Sequence, residues 1–144
     1  MTVNQVSVFL EDKPGHLEHA LASLANANVN IVTLTIAETA GFGLLRMIVD
    51  QPANAVNALN RDGMTASETP VLAVEIDDKP GSLLAALRGF AERDLNIEYL
   101  YTFAARKHSE RIVVIFRFAD IDAAQHILRE DGFSILKQSD IIGA

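Results

Sequence analysis

Apolar and polar positions alternate near the start of the chain. Val6, Val8 and Leu10 fall on one side of an extended segment and Gln5, Ser7 and Phe9 on the other, which predicts a strand with one face committed to a core. The period then changes. Leu17, Ala20, Leu21, Leu24 and Ala25 recur at helical spacing, and Asn26, Asn28 and Asn30 mark the stop. A β-branched run from Ile31 to Ala37 predicts a second strand, Gly41-Phe42-Gly43 a hairpin loop, and the nearly continuous apolar run Leu44 to Val49 a third strand. Pro52 opens a second helix carrying Ala55, Val56 and Leu59, Asp62-Gly63 closes it, and Thr65 to Thr69 reads as a weakly patterned fourth strand.

The order β-α-β-β-α-β then occurs again. Leu72, Val74 and Ile76 give a strand, Leu83, Leu84, Leu87, Phe90 and Ala91 a helix, and Ile97 to Phe103 with Ile112 to Phe118 a hairpin. Ala123, Ala124, Ile127 and Leu128 give the last helix, Asp131-Gly132 its end, and Ser134 to Gln138 a final strand. The predicted class is α+β, with two ferredoxin-like βαββαβ modules on antiparallel sheets, one at residues 1–69 and the other at 70–144. Only the second hairpin loop, around Arg106 to Glu110, differs in length between the halves, and it reads as a solvated tip. The third strand of each half is apolar on both faces, which predicts that another sheet covers the open face and that the protein is a homodimer.

The repeat is clearest at one turn. Asp12-Lys13-Pro14-Gly15 followed by Leu17 returns 66 positions later as Asp78-Lys79-Pro80-Gly81 followed by Leu83. Pro fixes φ and Gly permits close approach to the backbone, so each turn sets unpaired helix-terminal N–H groups and the positive end of a dipole at an open edge. That is a seat for a carboxylate. Each half has about half of the 144 residues, too few to bury much of its own surface. The net charge of −7 argues against nucleic acid and anionic membranes, and without cysteine there is no disulfide, thiol nucleophile or thiolate metal site. No apolar run is long enough to span a membrane, so a cytoplasmic protein is expected.

The duplicated Asp-Lys-Pro-Gly-x-Leu, a helix, then Asn30-Ile31 or Asn96-Ile97 opening a strand, resembles the ACT domain, a small-molecule-binding module of amino-acid metabolism. The resemblance covers essentially the whole chain, and Asn96-Ile97-Glu98-Tyr99-Leu100-Tyr101 is similar to stand-alone tandem members with no attached catalytic domain. It implies modules paired side by side, with an amino-acid effector between the first strand–helix turn of one and the start of the second strand of its neighbour. It therefore implies contacts from Asp12, Gly15 and Asn30 and from their counterparts Asp78, Gly81 and Asn96. Backbone N–H groups of Gly15-His16-Leu17 and Gly81-Ser82-Leu83 would take the carboxylate, with Ile31 and Ile97 alongside. Serine-sensing members have a His four residues before the Pro, whereas this chain has Leu10 and Ile76, a departure that counts against serine.

Plainer roles exist for the same residues. Asp12 and Asp78 suit a turn, and Asn30 and Asn96 suit a cap before a strand. His16 and His19 lie three apart on a helix, but no third ligand is evident and Ser82 and Ala85 replace them in the second half, so they are expected to face solvent. Tyr99 and Tyr101 are expected to share a strand face with Ile97 and Phe103, at a sheet–sheet interface or lining a pocket. No nucleophile with a base, phosphate loop or metal spacing appears. The sequence thus predicts an amino-acid-binding regulator without catalysis, cofactor or metal. A regulatory subunit acting on a separate metabolic enzyme and a small ferredoxin-like enzyme are the rival readings.

Overall fold

The computed structural model of the chain describes residues 1–105 and 110–142. Most of the second hairpin tip, residues 106–109, lies outside them. The chain divides into two compact units, Asn4–Thr69 and a second comprising Met1–Val3 with the chain from Pro70 onward.

In the first unit β1 (Val3–Glu11), α1 (His16–Asn26), β2 (Ile31–Thr39), β3 (Phe42–Val49) and α2 (Pro52–Arg61) follow in order, and β4 (Thr65–Asp77) begins. β3 lies between β1 and β2 and is antiparallel to both. The alternation of β1 is realised as expected: Val6, Val8 and Leu10 join Leu45, Met47 and Val49 of β3 in one buried cluster with Ala20, Leu24, Ala55 and Leu59 of the helices. The hairpin turn is tighter than expected. Ala40 and Gly41 both have positive φ, 45° and 84°, and Phe42 and Gly43 are already paired with β2. Two such residues are what a two-residue hairpin twisted to match its strands requires.

The second unit repeats this with α3 (Ser82–Glu92), β5 (Ile97–Ala104), β6 (Arg111–Phe118), α4 (Ile121–Glu130) and β7 (Ser134–Leu136). β6 lies between β4 and β5, and β7 pairs with β4. Its helix-side core contains an aromatic trio, Phe90, Phe116 and Phe118, with ring centroids 4.8–5.6 Å apart.

Three expectations change. The stretches Thr65–Thr69 and Leu72–Ile76 form one 13-residue strand, because Pro70 sits in an extended backbone it can occupy. The final strand stops at Leu136, and a five-residue helix, α5 (Gln138–Ile142), follows, with the Asp140 carboxylate accepting from the Lys137 N–H at 2.8 Å. The face of β3 and β6 turned away from the helices is also already covered at its centre. Ile48 and Ile115 are fully buried and Val113 is 3 % exposed within the single chain, so their apolarity does not by itself call for a second one. No helix among the described residues is long and apolar enough to cross a membrane.

Candidate functional site

Both Pro-Gly turns are built alike. Gly15 and Gly81 occupy the N-cap positions of α1 and α3 at φ 84° and 87°, a conformation L side chains avoid, and neither helix start has a side-chain cap. A Cβ at either position would meet nothing within 4 Å, so the backbone angle, and no crowding by the protein, is what calls for glycine. The turns are tied to the hairpin tips by the Asp12 N–H donating to Gly41 O at 3.3 Å and the Asp78 N–H donating to Glu110 O at 2.8 Å. The Asp12 and Asp78 side chains are exposed.

Each turn borders an open groove whose far wall is the turn leading out of the next helix. In the first unit Gly15 and His16 face Asp62-Gly63-Met64 across a groove of about 390 Å³. In the second, Gly81 and Ser82 face Gly132-Phe133-Ser134 across one of about 340 Å³. Gly63 and Gly132 at these far walls belong to Asp-Gly pairs that were visible in the sequence as helix ends but not as site residues. Leu17 and Leu83 are partly buried and pack against the two cores.

His16 departs from expectation. Its ring is half-buried, and Nδ1 accepts a hydrogen bond from the Glu11 N–H at 2.6 Å, so it holds the end of β1 against the start of α1. His19 lies with Nε2 3.4 Å from the Asp62 carbonyl, so the two rings serve separate partners. No three His, Asp or Glu side chains converge as metal ligands among the described residues.

Asn30 and Asn96 do not meet the turns of their own modules. Each stands just before the strand that follows the helix, a full helix length away, about 16 Å for 11 residues at 1.5 Å each. Asn30 is instead locked to Asp50: its N–H donates to the Asp50 carboxylate at 2.9 Å and its carbonyl accepts from the Asp50 N–H at 3.1 Å. Ile31 and Ile97 pack against the cores. A β-bulge follows each, between Ile31 and Thr33 and between Ile97 and Tyr99. The extra residue puts Tyr99 and Tyr101 opposite Arg117 and Ile115, on the other face from Ile97.

The electrostatics of the two sites differ. Beside the first turn Lys13 lies 3.0 Å from Glu11, and this hydrogen bond and charge hold the Glu11 carboxyl below its ordinary pKa. Beside the second, Arg111 donates to Glu75 at 2.6 Å through Nε, to Asp77 at 2.7 Å through Nη1 and to the Glu75 carbonyl at 3.2 Å through Nη2. All three of its nitrogens are engaged. The corresponding residues of the first module are Phe9 and Phe42, 58 % and 55 % exposed.

A family model of the ACT domain pair matches residues 1–143. Among solved structures, a protein of Bacteroides thetaiotaomicron is 33 % identical with a TM-score of 0.92, the match covering 100 % of this chain and 98 % of that one. The ligand-free regulatory subunit of aspartate kinase from Thermus thermophilus is 19 % identical with a TM-score of 0.64, covering 91 % and 94 %. The corresponding subunit from Thermus flavus is 18 % identical at 0.57, covering 90 % and 93 %. At that identity the two subunits share the fold. No curated protein sequence matches the chain.

Proposed function

The chain belongs to the ACT domain family, as a pair of such domains, and on that premise we propose that it binds a small amino acid in the cytoplasm and so regulates or senses amino-acid metabolism, with no catalysis of its own. The observation that carries this reading is the duplicated turn. Twice, a left-handed glycine starts a helix without a side-chain cap at the edge of an open groove, with a cation within reach in Lys13 or Lys79. The N–H groups of His16 and Ser82 turn back to the Lys13 and Lys79 carbonyls at 3.4 and 3.3 Å, and the remaining helix-terminal N–H groups so arranged favour a carboxylate. Asn30 and Asn96 enter the reading through a second chain, as the homodimer implied by the resemblance would supply them.

A thermal-shift screen of the twenty amino acids tests the reading. Ligand at 100 times its Kd adds about 2.7 kcal/mol to stability, so one amino acid or a small group should stand clear of the rest. A screen in which none raises the melting temperature overturns it.

One observation supports a second reading, in which the chain acts by contact with a separate metabolic enzyme. Phe9 and Phe42 leave two aromatic side chains more than half exposed on the first module, where the second has an ion pair. Contiguous exposed apolar surface marks interaction sites. A Phe9→Ser, Phe42→Ser variant that keeps amino-acid binding but loses control of the enzyme would favour that reading.

A further inference from the structure

We propose that the first module holds one branched aliphatic α-amino acid, of the valine, leucine or isoleucine class, in a cleft opened by Gly43, and that the second module has no such site. The proposal rests on the amino-acid reading above and names the ligand class and the module. β1, β3 and β2 align Leu10, Gly43 and Glu38 in one cross-strand row. The missing side chain of Gly43 leaves a gap in that row, a cleft of about 210 Å³ lined by the aliphatic Leu10, Leu17 and Ile36 and by Glu11, Asp12, Lys13 and Glu38.

The lining separates into parts that match one chemistry. Leu10, Leu17 and Ile36 form an aliphatic wall, and Ile36 is 44 % exposed, surface that an apolar side chain would cover. Asp12 and Glu38 supply two carboxylates for an ammonium group, and Lys13 supplies a cation for a carboxylate. Lys13 forms a surface pair with Glu11, both side chains being at least 60 % exposed, a kind of pair that is given up at little cost. A zwitterionic head on an aliphatic body uses the aliphatic wall, the cation and the carboxylates, with Glu11 remaining at the solvent side as an exposed acid. A fatty acid would leave the two acids facing its carboxylate, and an amine would leave Lys13 beside its ammonium.

The second module supplies the internal comparison. The corresponding row is Ile76, Ile112 and Ala104, in the same register. Ile112 stands where Gly43 leaves space, and Ala104 stands where Glu38 supplies charge. Ile112 packs against the second core, so an isoleucine at this place in the row is compatible with the fold.

Calorimetric titration of the full chain with L-leucine, L-isoleucine and L-valine tests this. The expected result is one ligand per chain, affinity at least about tenfold lower in Gly43→Ile, and a clear loss in Glu38→Gln. Gly43→Ala is the folding control, since its Cβ would sit 3.6 Å from Ile36 Cγ2 and Leu10 Cβ, an ordinary contact. If Gly43→Ile does not fold, Glu38→Gln and the alanine variant still decide the matter. Aliphatic amino acids that bind Gly43→Ile as well as wild type overturn the cleft. A polar amino acid that binds in place of the aliphatic ones, indifferent to Gly43→Ile and Glu38→Gln, overturns the proposal and leaves the amino-acid reading standing. No binding by any amino acid removes both.

Discussion

One carboxylate is held by different chemistry in the two modules. Asp62 accepts from the Ser23 hydroxyl at 2.5 Å, whereas its counterpart Asp131 is gripped by Arg93 at 3.0 and 3.2 Å over Gly89, where a Cβ would collide with the Asp131 carboxylate. The Ser23 hydrogen bond, aided by Arg61, keeps Asp62 below its ordinary carboxylate pKa. A depressed folded-state pKa contributes stability that is fully present above the unfolded value, about 3.9, and is lost as pH falls through the lower folded value. Melting temperature followed from about pH 5 downward should therefore fall less steeply in Ser23→Ala than in wild type, and parallel profiles would refute the assignment. Single residues also show where reading stops. Gly15 and Gly81 were legible because Pro-Gly recurs in the same frame, but Gly43 was not, since its meaning depends on Leu10 and Glu38, which only strand register brings beside it.

The four longer helices end in one way. After each, two backbone N–H groups turn back to satisfy the last carbonyls: Val29 to Leu24, Met64 to Leu59, Leu95 to Phe90 and Phe133 to Leu128, all at 2.9–3.0 Å, with the preceding residue in the left-handed region. That residue is glycine after α2 and α4 but Asn28 after α1 and Asp94 after α3, at φ 58° and 56°. Asp94→Gly should raise stability by about 0.5–1 kcal/mol in urea denaturation, because glycine takes that angle without the penalty an L side chain meets. No change, or a loss, would mean that the Asp94 side chain contributes more than its backbone strain costs. The helices and most strands could be read from the sequence because each repeats a period several times. The bulges after Ile31 and Ile97 could not, since one extra residue reverses a face without changing composition, and α5 is too short to show a period.

Each module keeps its own apolar cluster, the first around Leu24, Leu45 and Leu59 and the second around the aromatic trio. Leu59→Ala, at a fully buried position, should cost about 2–5 kcal/mol. Amide hydrogen exchange should register that loss mainly in residues 4–69, and equal loss of protection throughout would show that the chain opens as a single unit. The duplication was legible at this scale because both halves carry the same turns and periods. The place of the first three residues was not, since nothing in their composition marks them. Val3 is fully buried, the Met1 ammonium donates to Gln125 at 2.6 Å, and all three belong with the chain from Pro70 onward. The copies are therefore interlocked in their inheritance. A gene fragment starting at Pro70 would carry the second module away without residues encoded ahead of the first, so recombination that shuffles that copy into another gene leaves part of its compact unit behind.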